Sequence, residues 1–543
     1  MTVVNKTRFS LGAIKLIVLL ALFFVLAGNQ QFWHRTLAFF ASDSTTLWRM
    51  GASIGLVTTS LMTLILSLVL WPYVGKPLLI LLLMCNAGAA YFMNSYGIYI
   101  DRDMVQNVFE TDPAEAAELF NLKLAAWIGL AGILPSVLVW RLPIRYGRWP
   151  RALLYRAGLI LAALAVIGAN AGLFFQDYAS YFRNQREVRR LFTPANVVYA
   201  TGDYVNHSWF RKPSVLEPVG TDATRDAKAS AGQPPLLLVI VVGETARAAN
   251  FGLDGYSRQT TPELAARDVI NFPKATSCGT ATATSVPCMF SPMSREQYKS
   301  SQHMEGLLDI VQRVGLPVLW RDNNSGCKGT CDRVPNEDLS KAKDPQLCRD
   351  GECFDEILLQ GLEKRLADKP GNLVLVLHQK GNHGPAYYLR YPPAFEKFTP
   401  VCRTNKLQEC QREQIVNAYD NALLYTDHFL GKTIDLLKAQ TGYRTALWYM
   451  SDHGESLGEN NLYLHGAPYA LAPEYQTHIP MVQWISPAFA QSTGLNLDCL
   501  RQQAASQPAS HDNLFHSVLG LLDIHTQVYD PALDLFRTCR SGH

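Results

Sequence analysis

Glu244 stands in the stretch VVGETAR, directly after the unbroken apolar run Leu236–Val242. Asp452 and His453 stand side by side in SDHGESLGE, directly after a second run, Thr445–Ser451. Carboxylate and imidazole together suit Zn²⁺ or Mn²⁺. Each group alone has a plainer reading, as a turn aspartate or as a helix N-terminal acid favoured by the helix dipole. Their shared position at the ends of apolar runs favours the metal. A third run, Asn372–His378, leads into HQKGNHGP with His378 and His383, and NLYLHG supplies His465. A core or hydrogen-bonding role is the default for each histidine. Beside a metal they become phosphate ligands, acid–base groups or ligands to a second ion. His383 reads as loop-borne and accessible, whereas His378 lies on its strand and reads as structural.

Two further stretches complete the chemistry. WRDNNSGCKG offers Asn324, Ser325 and Lys328 as donors that could grip a phosphate, or forms an ordinary polar turn stapled by Cys327 and Cys331. SCGTATATSVPC places Thr280, Thr282 and Thr284 between Cys278 and Cys288. That pattern suits a stapled edge strand, and equally a rigid loop carrying a reactive hydroxyl. A threonine does not ionise near neutrality unaided, but metal coordination can generate the alkoxide and hold it for in-line attack on phosphorus. The stretch alone does not say which threonine serves.

Elements must bring these segments together. Short, unbroken, β-branched runs separated by longer helical segments predict buried parallel strands of an α/β sheet. Ligands of such sheets sit outside the carboxyl ends of the strands, which makes one site of three distant segments.

Ahead of this part the chain is apolar. Five runs, about Phe9–Gly28, Gly51–Leu70, Leu78–Met93, Leu124–Trp140 and Ala157–Phe175, approach the roughly 17–25 residues that cross a bilayer. Lys6, Arg8, Lys76 and Arg141, Arg145, Arg148 and Arg151 mark the N-terminus and the even-numbered loops as cytoplasmic, whereas the third connection is acidic. Five spans then put everything after Phe175 outside the cytoplasm. Cysteine usage agrees: of eleven, ten lie from Cys278 onward, mostly in close pairs, as disulfides of an exported domain would. The pairs are Cys278/Cys288, Cys327/Cys331, Cys348/Cys353 and Cys402/Cys410, leaving Cys499 and Cys539, with connectivity open. The net charge of +3 gives no nucleic-acid footprint. Aromatics mixed with Arg183, Arg186, Arg189 and Arg190 suggest helices on a lipid surface, or a solvated connector. Residues 212–235 read as a linker. The expected domains are therefore 1–176 (five transmembrane helices), 177–235 (membrane-surface helices and linker) and 236–543 (catalytic).

The stretches VVGETAR, GYSRQTTPEL, SCGTATATSVPCMFS, WRDNNSGCKG, NHGPAYYLRYP and SDHGESLGENNLYLHG make the whole chain resemble the phosphoethanolamine transferases that modify lipid A, which include the mobile colistin-resistance enzymes. The resemblance implies a five-helix transmembrane domain and a C-terminal α/β periplasmic domain of the alkaline phosphatase (sulfatase-like) type with a mostly parallel central sheet. It implies Thr282 as nucleophile and Glu244, Thr282, Asp452 and His453 as zinc ligands, with one tightly held Zn²⁺ and a second left open. Phosphoethanolamine contacts would fall on Ser325, Lys328, His383 and His465. In QNVFETDPAE they would fall on Asn107, Thr111 and Glu115, although Asp112-Pro113 also reads as a helix start with Glu115 as a capping-box residue.

The activity so implied is transfer of phosphoethanolamine from phosphatidylethanolamine to a lipid A phosphate of lipopolysaccharide. It would run through a covalent phosphoethanolamine-threonine, with His383, His465 and Lys328 assisting. The setting is a monomer in the Gram-negative inner membrane, N-terminus cytoplasmic and catalytic domain periplasmic, and the consequence is polymyxin resistance. Alternatives are a glycerol phosphate transferase like the lipoteichoic acid synthases, another envelope glycan acceptor, or a non-catalytic receptor that keeps the fold.

Overall fold

In the computed structural model of the chain, the residues described are 10–41, 44–110, 113–206, 216–225, 232–299, 303–349 and 351–541. They divide into two compact units, one of residues 1–105 and 120–205 and the other of 106–119 and 206–543.

The first unit is helical. Its helices are α1 (Ala13–Ala27), α2 (Gln30–Phe39), α3 (Ser44–Val69) and α4 (Gly75–Tyr96). After α5 (Arg102–Glu110) and α6 (Pro113–Leu119) come α7 (Leu122–Arg141), α8 (Trp149–Leu173), α9 (Phe175–Asn184) and α10 (Ala195–Val205). Helices α3, α4, α7 and α8 are long and apolar enough to cross a membrane. Among the described residues the count reaches five only if α1 and α2, bent by 68°, are taken as one span. Asn29 accounts for that break, because its side-chain amide donates to Phe24 O and Thr193 O at 2.8 Å and holds the chain out of helical register. The uninterrupted first span expected over Phe9–Gly28 is thus a 15-residue helix followed by a turned one.

The described part of the acidic connection is helical on either side of residues 111–112, which lie outside the described residues. Asn107 lies on α5 (Arg102–Glu110), and α6 covers Pro113–Leu119. Thr111, and the side chain of Glu115, lie outside the described residues. Residues 106–119 group with the second unit, where Glu118 pairs with the buried Arg390.

The second unit is built on a seven-stranded sheet. Its strands are β1 (Leu236–Gly243), β2 (Ile270–Asn271), β3 (Val318–Asp322), β4 (Asn336–Asp338), β5 (Leu373–His378), β6 (Arg444–Ser451) and β7 (Met481–Ile485). The order across the sheet is β2-β7-β6-β1-β5-β3-β4. β6, β1, β5, β3 and β4 run parallel, whereas β7 and β2 add an antiparallel edge, so the sheet is mixed. β1 is buried along its whole length because both faces are covered. Leu238, Ile240 and Val242 pack with Phe290, Leu307 and Phe515 on one face. Leu237, Val239 and Val241 pack on the other with Tyr419, Leu423 and Phe429. Those last three lie on the 28-residue helix α12 (Arg412–Ala439), which follows α11 (Thr282–Met289) in chain order.

Register fixes the site. Gly243 pairs with Ser451, Val242 with His378, and His378 with Asp322. Four parallel strands therefore end in one row, and the residues following them face a common space.

Candidate metal centre and active site

Glu244 follows β1 and is almost wholly buried. Its Oε2 accepts from Asn324 Nδ2 at 2.8 Å and from Thr282 Oγ1 at 3.1 Å. Asp452 and His453 follow β6 and are fully buried. Asp452 Oδ1 accepts from the backbone N–H of Thr245 and of His453. Its Oδ2 is buried and accepts no hydrogen bond of ordinary geometry among the described residues. The Thr282 hydroxyl, close enough to bear on that carboxyl, is directed at Glu244. His453 Nδ1 lies 2.9 Å from Gly454 O, which assigns the ring proton to Nδ1 and leaves a lone pair on Nε2. That Nε2 sits 3.4 Å from Asp452 Oδ2, 3.5 Å from Glu244 Oε1 and 3.4 Å from Thr282 Oγ1.

The electrostatics match a cation's place. Burial and the adjacent Glu244 carboxylate drive Asp452 well above the usual carboxylate range. Burial, with the neighbouring His465 imidazole, lowers His453 to about 3. Two buried carboxylates this close do not both ionise without a compensating positive charge. Ligand atoms of Glu244, Asp452 and His453 lie within 4.8 Å of one another. The donor set of two carboxylates, one imidazole and a hydroxyl suits Zn²⁺. The bare Asp452 oxygen and the unprotonated Nε2 both point where such an ion would be held.

The backbone around the centre is tightly determined. Thr245 adopts φ +60°, a left-handed conformation rare for a β-branched residue. Its carbonyl accepts from Tyr419 Oη at 2.7 Å, while its N–H is directed to Asp452. Gly381, at φ +52°, passes so close that a Cβ there would lie 2.6 Å from Glu244 O.

Thr282 is the first residue of α11, so the threonine-rich stretch is a turn and helix start, not an edge strand. The structure separates Thr280 from Thr282. Thr280 Oγ1 is buried and donates to Ala467 O at 2.6 Å, whereas Thr282 Oγ1 is half-buried and faces Glu244 and His453. A helix N-terminus also favours negative charge on this oxygen. The Cys278–Cys288 disulfide brackets the turn, and Cys327–Cys331, Cys348–Cys353, Cys402–Cys410 and Cys499–Cys539 complete five pairs.

Of the other side chains singled out from the sequence, Asn324, His383 and His465 adjoin this centre. Lys328, at φ +51°, directs Nζ to Ser325 Oγ at 2.9 Å. The rings of His383 and His465 lie 5.5 Å apart, and that of His465 is 4.3 Å from His453. Asn324 gives its amide to Glu244 and Gln379 O, so it braces the centre. His378 is wholly buried and bonded to Asp322. Asn107 lies on α5. Glu455 was not singled out from the sequence. It is fully buried, with Oε2 2.9 Å from His465 Nδ1 and Oε1 accepting from Tyr387 Oη. Its position two residues past His453, in the same polar stretch, was the only available signal.

A sheet carrying a carboxylate–imidazole cluster at its carboxyl edge beside a helix-start threonine defines a sulfatase-type domain. The family model "Sulfatase" matches residues 237–524. A second model, "Phosphoethanolamine transferase EptA/EptB", matches residues 58–209. Phosphoethanolamine transferase EptA of Escherichia coli (strain K12) is 42% identical over 537 residues, covering 98% of each chain. Phosphatidylethanolamine transferase Mcr-1 of Escherichia coli is 40% identical over 465 residues, covering 83% of this chain and 84% of that one. The solved structure of lipooligosaccharide phosphoethanolamine transferase A (EptA) from Neisseria meningitidis is similar with a TM-score of 0.95 at 41% identity, over 98% of this chain and 100% of that one. The chain belongs to the phosphoethanolamine transferase family.

Proposed function

We propose that this protein moves phosphoethanolamine from phosphatidylethanolamine to a lipid A phosphate, with Thr282 as the covalent carrier. The observation that carries the reading is the convergence of Thr282 Oγ1, Glu244, His453 Nε2 and the unsatisfied Asp452 Oδ2. Glu244, Thr282, Asp452 and His453 would hold one Zn²⁺. Bound there, the ion would lower the pKa of the threonine hydroxyl and draw charge from phosphoryl oxygens.

In the first half-reaction Thr282 Oγ1 bonds to phosphorus, the bond from phosphorus to the glycerol oxygen breaks, and diacylglycerol leaves with a proton. In the second, a lipid A phosphate oxygen attacks the same phosphorus, and Thr282 Oγ1 departs and is reprotonated. Lys328 and Ser325 would offer donors to the non-bridging oxygens. His465, oriented by Glu455, and His383 would give and take the protons. Asn107, Thr111 and Glu115 remain proposed contacts of the donor headgroup.

The setting we propose is the Gram-negative inner membrane, as a monomer with a cytoplasmic N-terminus and the catalytic domain periplasmic. Domains 1–176, 177–235 and 236–543 would serve as anchor, surface helices with linker, and catalyst. Confinement to the membrane raises the local concentration of two lipid substrates. The added amine offsets an anionic phosphate and would weaken polymyxin binding. Incubating labelled phosphatidylethanolamine and lipid A with the enzyme, with and without chelator, tests the proposal. Chelator-sensitive label on lipid A is expected; glycerol phosphate transfer from phosphatidylglycerol instead would refute it.

A further inference from the structure

One end of the first unit, where α3 turns into α4, gathers cations without counter-charges. The connections between α3 and α4 and between α7 and α8 meet there around Trp71. Its ring lies 5.9 Å from that of Trp149 and 4.0 Å from the Arg156 guanidinium, and its carbonyl accepts from Tyr146 Oη. Lys76 Nζ donates to Trp140 O at 2.8 Å, and Arg145 donates to Ser10 O. Arg141, Arg148 and Arg151 stand exposed on, or just after, the connection between α7 and α8. The sequence has no Asp or Glu before Asp43, from residue 44 to 100, or from 119 to 176. Asp177 pairs with Arg49 near the opposite end of α3, roughly 30 Å of helix rise away.

Arg156 is the centre of this patch. It is nine-tenths buried, and it directs one terminal nitrogen to Leu70 O at 2.6 Å, just past the end of α3. Its other terminal nitrogen, Nη1, is buried with no hydrogen-bond partner among the described residues. A buried guanidinium with a donor unspent and no carboxylate paired to it is costly unless an anion meets it. Its planar fork matches a phosphate. Arg148, Ala152 and Arg156 follow at spacings of four, so two cations flank a small residue on one face of α8.

The surrounding surface tells which anion. Trp140, Trp149, Tyr155 and Tyr73 are all more than half exposed here, as in the aromatic belt that sits at the level of lipid headgroups. Basic residues at that level attract anionic lipids. A zwitterionic head would bring its own ammonium into a patch of one sign, whereas a net-negative head brings only phosphate.

We propose that this end of the first unit binds a phospholipid whose head carries a phosphodiester and no cation. The phosphate lies between Arg148 and Arg156, with the other basic side chains around it. No residue of the transfer site takes part, so the inference does not rest on the proposed reaction.

The test uses the full chain in bilayer nanodiscs of phosphatidylethanolamine, phosphatidylcholine and phosphatidylglycerol in equal parts. Each lipid in turn carries a photoactivatable group next to its head, and the labelled peptides are mapped. Phosphatidylglycerol should label residues 70–78 and 140–156 severalfold more than either zwitterion does. The exposed pair Arg148→Gln and Arg151→Gln should cut that preference about fivefold for each charge removed. Raising salt from about 0.1 M to about 1 M should shrink it as well. Arg156→Lys, which keeps the charge and loses the fork, should lower the preference by less. Arg49→Gln, near the far end of α3, should leave it unchanged. Equal labelling by the three lipids would overturn the proposal. So would a preference indifferent to the Arg148/Arg151 pair, or one that Arg49→Gln lowers just as far.

Discussion

Two carboxylates buried in the catalytic unit are treated in opposite ways. Asp355, after the Cys348–Cys353 loop, accepts four hydrogen bonds, from Asn323 Nδ2, Gln379 Nε2 and the N–H groups of Lys380 and Gly381. Asp452, at the end of β6, has one oxygen satisfied and the other bare, facing Glu244, His453 and Thr282. Burial raises the pKa of both. The fold is evidently able to wrap a buried carboxylate in amides, since it does so at Asp355. The unsatisfied oxygen at Asp452 is therefore a position suited to a ligand of opposite charge.

Substitution at each position should give opposite results, and the largest effect belongs to Asp452. Asp452→Asn should weaken zinc binding by more than the roughly 100-fold that outer partners of a metal site give. The melting temperature of its metal-free form should stay level or rise, because an amide relieves the repulsion from Glu244. Titration calorimetry with zinc and thermal unfolding after chelation measure the two halves. Asp355→Asn should do the reverse, lowering stability by roughly 3 kcal/mol as N–H groups lose their acceptor, with zinc affinity kept in the molecules that remain folded. Equal destabilisation by both would break the contrast.

Smaller effects sharpen it. Asn324→Ala removes the donor that fixes Glu244 Oε2, and zinc affinity should fall about 10- to 100-fold, read by competition with a chromophoric chelator. Glu455→Gln keeps the contact to His465 but cannot stabilise a protonated ring. Transfer should slow about tenfold, less than the 10²-fold or more of a full acid–base group, with zinc content unchanged.

The same contrast marks what the sequence disclosed. Glu244, Asp452 and His453 were legible because they directly follow unbroken apolar runs, and parallel register then forces such positions into one row. The antiparallel edge was not legible, since β2 is two residues long and its pairing with β7 depends on distant segments. Nor was the break after α1, because it depends on Asn29 reaching Thr193, 164 residues away. Thr282 could not be told from Thr280 by residue type or spacing. The structure distinguishes them by a single acceptor, the Ala467 carbonyl that occupies Thr280. Glu455 was hidden for a similar reason, as its partners His465 and Tyr387 come from separate loops.

Transfer through a covalent carrier requires that Thr282 Oγ1 bond to phosphorus during turnover. Incubating the zinc-loaded enzyme with phosphatidylethanolamine, quenching in acid before acceptor is added, and sequencing the peptides by mass spectrometry tests it directly. A phosphoethanolamine adduct is expected on Thr282, disappearing when lipid A is supplied and absent from Thr282→Ala. An adduct on another residue, or full transfer by Thr282→Ala, would contradict it.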